Sequence, residues 1–296
     1  MTENKQGQHC EKRTEEKQTR KMKAGRLKAY GQQLKADERS EATIEKYMRD
    51  VRHFAAFAGG KALNKQTVMD YKSELGKTYA VSSANSMLAA LNSFLRFCGW
   101  HELCVKQFRV QRKVYCPEEK ELTRSEYLRL LETANKKRNE RLNLMIQTIC
   151  GTGIRVSELQ YITAEALRNG EAVVNCKGKN RRVFIVSELK KKLLRYTRQQ
   201  GISSGAIFVT RSGRPVSRSN IWKEMKSLCG QAHVMESKVF PHNLRHLFAR
   251  TFYGIEKDIA KLADILGHAN INTTRIYIVT TGTEHRRKME HMRLIV

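Results

Sequence analysis

Long apolar runs are missing from this chain. No stretch approaches the roughly 18–20 apolar residues of a membrane span, and the N-terminus is polar from Thr2 onward. An integral membrane protein and a secretory signal peptide are therefore not expected. Paired cysteine motifs are missing too. The seven cysteines are Cys10, Cys98, Cys104, Cys116, Cys150, Cys176 and Cys229. Their number is odd and no CxxC occurs, so neither a disulfide framework nor a zinc module is indicated. Reduced thiols in a cytosolic protein are the simplest account. Proline is scarce, with three in 296 residues, and so is acidic charge, with 29 Asp+Glu against 56 Lys+Arg.

The imbalance leaves a formal net charge of +27. A chain this basic favours a polyanionic partner. Residues 1–38 hold ten Lys/Arg and six Asp/Glu, so +23 of the +27 lies in the remaining body. A basic tail on a neutral enzyme would show the reverse distribution. DNA, RNA and an anionic membrane surface all fit; if the partner is duplex DNA, at one phosphate charge per ~1.7 Å the total matches roughly 45 Å of it, rather more than one turn. Hydrophobic content of 40% is enough for packed cores, and the length suggests about two domains.

Residues 1–38 read as a basic, polar N-terminal arm, with Arg26 to Lys35 beginning the first folded helix. From 39 to 112 the pattern is helical. Ile44, Tyr47, Val51 and Phe54 recur at spacings of three and four, as do Val68, Tyr71 and Leu75, then Met87, Leu88, Leu91, Phe94 and Leu95. Ala58-Gly59-Gly60-Lys61 is a turn signal between them. Residues 113–121 are charged, contain Pro117 and read as a linker. A capping box, Thr123 with Glu126, and a staple of Leu122 with Tyr127 open the second domain, 122–296. Within it, Leu142 to Cys150 is a buried helix stopped by Gly151 and Gly153, and Val156 to Ile162 begins another. Ala172–Cys176 and Arg182–Val186 form a hairpin around Lys177-Gly178-Lys179-Asn180. Ala206–Thr210 reads as a short strand before the turn at Ser212-Gly213-Arg214-Pro215.

Nucleotide loops are absent. Gly151-x-Gly153 lacks its third glycine because residue 156 is Val, and Gly178-Lys179 lacks both the upstream glycine at 173 and a following Ser/Thr. No Asp/Glu cluster is arranged for Mg²⁺. What is present is a scattered cationic set. Arg155 follows a Gly-Thr-Gly turn at the start of a helix, where free N–H groups and an arginine fork suit a phosphate. Taken alone, it is equally a surface arginine paired with Glu158. Lys177 sits in a basic hairpin, where a lysine is either merely solvated or able to protonate a leaving oxygen. His242 and Arg245, three apart, share a helix face behind Pro241. His268 follows Leu266-Gly267, and Tyr277 lies nine residues later. Two arginines, two histidines, a lysine and a tyrosine are what phosphoryl transfer through a tyrosine needs, with cationic side chains neutralising the phosphate.

These blocks, Gly151-Thr152-Gly153-Ile154-Arg155-Val156-Ser157-Glu158-Leu159, Lys177-Gly178-Lys179-Asn180-Arg181-Arg182, Pro241-His242-Asn243-Leu244-Arg245-His246 and Leu266-Gly267-His268 with Tyr277, resemble in order and spacing those of the tyrosine recombinases, the phage-integrase family. Residues 40–112 resemble that family's SAM-like core-binding domain. The resemblance implies a mainly α (α+β) fold: a helical core-binding domain and a mostly helical catalytic domain with a small antiparallel β-sheet. It implies that Tyr277 attacks the scissile phosphate to give a 3′-phosphotyrosine and a free 5′-hydroxyl. Arg155 and Arg245 would clamp the non-bridging oxygens. Lys177, or alternatively Lys179, would protonate the 5′-oxygen, His242 would assist at the tyrosine, and His268 would bond the phosphate.

No cofactor, metal or ATP is implied, because the covalent intermediate conserves the bond energy. The implied partners are double-stranded DNA with inverted-repeat core sites and three further copies of the chain, a tetramer on two sites. No membrane partner is implied, and accessory proteins are left open. The resemblance places the protein in the cytoplasm, associated with a bacterial nucleoid. Integration, excision, inversion and resolution all use this chemistry; the expected role is that of an element-borne integrase. Arg286-Arg287-Lys288-Met289 to Leu294-Ile295-Val296 is expected to dock on a neighbouring subunit. A type IB topoisomerase or hairpin-forming resolvase, and a DNA-binding clamp without catalysis, are the competing readings.

Overall fold

The computed structural model describes residues 20–110, 120–176, 179–277 and 282–292. The chain separates into two compact units, Met1–Arg112 and Lys113–Val296. Both are helical, and the one named sheet among the described residues is a two-stranded hairpin in the second unit.

Among the described residues the first unit has four α-helices: α1 (Ala24–Ala36), α2 (Glu41–Ala58), α3 (Lys65–Thr78) and α4 (Val81–Phe97). Helix α1 lies within the stretch expected as an arm. Two of its apolar side chains, Tyr30 and Leu34, one turn apart, are buried in the unit's core. Tyr30 meets Phe94 of α4 edge-on, with ring centroids 5.3 Å apart. Helix α2 ends at Gly59, whose φ of 57° is left-handed, so the Gly-Gly turn is where it was expected. Helix α3 starts on Asn64, whose side chain accepts from the Thr67 amide. Ala84, Leu88, Leu91 and Leu95 form the inward stripe of α4.

Two asparagines on α4, seven residues apart, fasten the segment that follows. Asn92 both accepts from the Val105 amide and donates to its carbonyl, and Asn85 does the same for Phe108. The chain leaving the helical unit is thereby held in a fixed extended path.

The second unit opens with α5 (Arg124–Lys136), whose capping box of Thr123 and Glu126 is complete. Helix α6 (Glu140–Thr152) follows; it buries Leu142, Leu144, Met145, Ile146 and Ile149 together with the polar Asn143, Thr148 and Thr152. It stops at Gly153, left-handed at φ 64°, with Gly151 still inside its last turn. The expected helix after it is a short 3₁₀ turn, Val156–Tyr161. Helix α7 (Ala164–Asn169) leads into β1 (Glu171–Cys176), antiparallel to β2 (Lys179–Phe184). The second strand therefore begins three residues earlier than its β-branched run suggests, because pairing with β1 extends it. Ala172, Val174 and Val183 face the core, while Val173 and Phe184 face outward. By the same alternation Arg181 turns inward and Arg182 outward.

Helices α8 (Ser187–Gln199), α9 (Arg218–Lys226) and α10 (Cys229–Ala232) complete the core on one side. The strand expected at Ala206–Thr210 forms only isolated bridges, Thr163 to Ala206 and Val209 to Pro215, because no neighbouring segment offers it a ladder. Helix α11 (Pro241–Glu256), α12 (Ile259–Leu266), α13 (Ile271–Arg275) and α14 (Gly282–His291) carry the remaining motifs. Among the described residues no helix is long and apolar enough to cross a membrane.

Candidate active site

Helix α11 begins with Pro241 at its first position, so His242 and Arg245 fall on one face as their spacing predicts. Arg245 is among the largest fully buried side chains of the protein. Its guanidinium donates to the carbonyl of Gly153, which caps α6, and to that of Leu266, the last residue of α12. Gly153 cannot be replaced cheaply: its φ is left-handed, and a Cβ there would lie 2.5 Å from the Phe248 ring. Burial, then the nearby Arg155, brings the Arg245 guanidinium down to about 10, with the Tyr277 hydroxyl acting the other way. It stays charged at neutral pH.

His268 follows the left-handed Gly267 that ends α12. An Nη of Arg245 lies 2.9 Å from His268 Nε2, and Thr274 Oγ1 lies 2.9 Å from Nδ1. A guanidinium can only donate, so Nε2 accepts and the ring proton sits on Nδ1, facing the buried Thr274. Burial and then the Arg245, Arg155 and Arg181 charges push His268 down to about 4, so this ring is neutral.

Tyr277 is 5% exposed and packs with Ala249, Leu262 and Leu266. Three histidine rings surround it. The centroid of His246 is 4.3 Å away, and those of His242 and His268 are each 5.4 Å away. His246 is pushed to about 4 by burial and by its neighbours His242 and Arg245; burial, then Arg245 and Arg155, lower His242.

Arg155 stands at the mouth, half-exposed. Its side chain donates to Glu158 at 2.8 Å and to the Gly267 carbonyl at 3.3 Å. Its amide also goes to Glu158. The free helix terminus expected at Arg155 is therefore absent: the element is 3₁₀, and a carboxylate already occupies its leading amide. Glu158 is buried, which pushes its carboxyl up, but the bonds from Arg155 and the charge of Arg181 outweigh this and hold it below the usual range. Arg181 completes the group, bonded to Glu158 and, at 2.8 Å, to the Ile265 carbonyl.

Five of the six sequence-derived residues thus lie in this one region: Arg155, His242, Arg245, His268 and Tyr277. Lys177 lies outside the described residues. For Lys179 only the backbone, paired with Cys176, is described. Sequence reasoning missed Arg181, His246 and Thr274. His246 was within reach, being adjacent to Arg245 on an amphipathic helix. Among the described residues no group of three or more His, Cys, Asp or Glu is placed to hold a metal ion.

Comparison with known proteins covers both units. The phage integrase family profile matches residues 120–283, and the phage integrase N-terminal SAM-like domain matches 27–102. The tyrosine recombinase XerD of Halalkalibacterium halodurans is 27% identical over 274 residues, covering 85% of this chain and 91% of the relative. The tyrosine recombinase XerA of Thermococcus kodakarensis is 29% identical over 272 residues, covering 88% and 93%. Among solved structures, a lambda integrase dimer bound to a COC′ core site superposes with a TM-score of 0.72 at 15% identity, over 87% of this chain and 95% of that one. XerH bound to its difH substrate superposes with a TM-score of 0.67 at 19% identity, over 90% and 84%. With a helical SAM-like unit, a second unit carrying a small hairpin, and a profile match over more than half its length, the chain belongs to the phage integrase family of tyrosine recombinases.

Proposed function

We propose that the protein is a site-specific DNA recombinase that cuts and rejoins strands through Tyr277. The observation that supports it most is the convergence of Arg155, His242, Arg245 and His268 on one tyrosine across more than 120 residues of sequence. In the cleavage step, the Tyr277 oxygen attacks phosphorus and its proton passes to His242. The bond from phosphorus to the 5′-oxygen breaks, and that oxygen takes a proton from Lys177. The products are a 3′-phosphotyrosine and a 5′-hydroxyl; reversal on a new strand rejoins the DNA. Arg155 and Arg245 neutralise the non-bridging oxygens, a task suited to Arg245 because its two main-chain anchors hold the fork still. His268 has its Nε2 on Arg245 and its proton on Nδ1, so bonding a phosphate oxygen through Nε2 requires the Arg245 bond to be released and a proton to be carried on Nε2.

DNA is held by both units in this reading. In the helical unit, a groove between α2 and α4 is lined by Lys46, Arg49, His53 and the serines Ser82, Ser83 and Ser86. Buried Asp50 bonds Lys46 and Arg49 and fixes where their charges sit. We assign 39–112 as the core-binding domain, 122–296 as the catalytic domain and four copies as the working assembly on two inverted-repeat sites. The same proposal includes docking of the C-terminal tail on a neighbouring copy and the role of an element-borne integrase. Finding attachment sites at an element boundary beside the gene would support that last point; inverted repeats around a promoter would replace it with inversion.

The decisive experiment selects a bound repeat from the DNA flanking the gene and builds it into a suicide duplex, nicked near the scissile phosphate. Wild type is expected to trap a covalent protein–DNA adduct and Tyr277→Phe none. An adduct formed equally by both proteins overturns the nucleophile assignment.

A further inference from the structure

Arg181 belongs to none of the six roles above, yet the structure builds around it. It is on β2, three residues beyond Gly178 and four beyond Lys177. Its side chain is 13% exposed and spans two other elements. One Nη bonds Glu158, the carboxylate that also holds Arg155. The other donates to the Ile265 carbonyl in the last turn of α12, two residues before Gly267 and three before His268. Its aliphatic stem lies directly on Gly267: a Cβ there would come within 2.4 Å of Arg181 Cδ and 2.9 Å of its Nε. Gly267 is thus required twice, for its left-handed φ of 64° and for the passage of Arg181. The Arg181 Nε is itself buried without a partner. The protein accepts that cost at a place where a smaller side chain would have avoided it.

We propose that Arg181 is a positioning residue: it pins the β1–β2 hairpin to the turn bearing His268 and, through Glu158, to Arg155, so that the leaving-group acid on the hairpin and the phosphate clamp stay in register. This rests on the reading of Lys177 as that acid. In this reading Arg181 holds its neighbours and leaves the phosphate to Arg155 and Arg245; its two bonded Nη groups carry Glu158 and the Ile265 carbonyl. Its neighbour Arg182, on the opposite face, is exposed and holds only Glu171, at 3.4 Å; it is the natural control.

The test compares two suicide duplexes, one with the ordinary 5′-bridging oxygen and one with sulfur in its place. A thiolate departs without being protonated, so a defect confined to delivery of the leaving-group proton disappears on the sulfur substrate. Arg181→Gln is expected to cleave the oxygen substrate about 10- to 100-fold slower, the penalty of a misplacement near 1 Å, and to come within about threefold of wild type on the sulfur substrate, the residue of a minor effect on the clamp. Arg181→Lys, which keeps the charge and loses the fork, shows the same pattern more weakly, and Arg182→Gln shows none. Melting curves confirm that each variant is folded at the assay temperature. An Arg181→Gln defect of equal size on both substrates, or no defect, overturns the proposal. Lys177→Ala and Lys179→Ala run in parallel address the underlying reading: if the sulfur substrate rescues Lys179→Ala and not Lys177→Ala, the acid is reassigned while the role of Arg181 stands.

Discussion

The two units handle charge in opposite ways. The helical unit keeps nearly all its cations at the surface over an apolar core of Tyr30, Phe54, Tyr71, Leu88 and Phe94; its one buried carboxylate, Asp50 among the described residues, serves two lysine and arginine side chains that remain outside. The catalytic unit takes charge inward. Arg245 is sealed, Arg181 nearly so, and Glu158 lies between two guanidinium groups. The first arrangement distributes binding over many weak, replaceable contacts. The second concentrates it in a few groups whose loss leaves a buried partner unsatisfied. Holding DNA tolerates the first kind; stabilising one reacting phosphate needs the second.

The largest expected effect probes the concentrated end. Arg245→Ala should lower adduct formation on the suicide duplex by roughly 10²–10³-fold, the scale for removing one preorganised donor, with DNA binding reduced only a few-fold by gel shift. A comparable fall in both would mean that Arg245 acts mainly in binding, and the contrast between the units would break.

The next concerns protons. His246 and His268 have folded values near 4, against an ordinary 6.5 in the unfolded chain. The unfolded state therefore binds more protons below 6.5, so the stability that these rings contribute is full above that pH and is lost as pH falls toward 4. Melting temperatures of the DNA-free protein should drop between pH 6.5 and 5, before ordinary carboxylates titrate. His246→Phe should flatten that slope; an unchanged slope would show that the ring is not held neutral.

The smallest effect belongs to the distributed end. Lys46→Ala should weaken binding to a duplex a few-fold and reduce the slope of log affinity against log salt by about 1, the signature of one lost phosphate contact. Cleavage at saturating DNA should be unchanged. A rate effect there would place the α2–α4 groove closer to the chemistry than the comparison allows.

Legibility in the sequence followed the range of the interactions. The faces of α2, α3 and α4 were readable because their cores repeat every three or four residues. His242 with Arg245, and the Thr123–Glu126 box, were readable because one helical turn contains each pair. Arg155 was half-readable: the local alternative, a pair with Glu158, is present, and so is its reach toward Gly267. Arg181 was not readable, because its partners at Glu158 and Ile265 lie 23 and 84 residues away. In sequence it is one of two adjacent arginines in a basic hairpin, and only the pleat tells them apart. Tyr30 and Leu34 were obscured by the charged residues around them. The strand expected at Ala206–Thr210 had the right composition and no partner, which a linear pattern cannot register.

The anchors of Arg245 carry a consequence for how such a site drifts over time. Two of its three acceptors, at Gly153 and Leu266, are main-chain carbonyls; the third is His268 Nε2. A side-chain acceptor disappears with one codon change; a carbonyl survives any substitution that leaves the backbone in place. Leu266 can exchange for another apolar residue without altering what Arg245 is bonded to. The sensitive positions shift to the glycines that set the two turns. A site supported in this way lets its surroundings diverge widely while the fork stays where it is, and its tolerance to mutation is a property of the chain path more than of the side chains beside it.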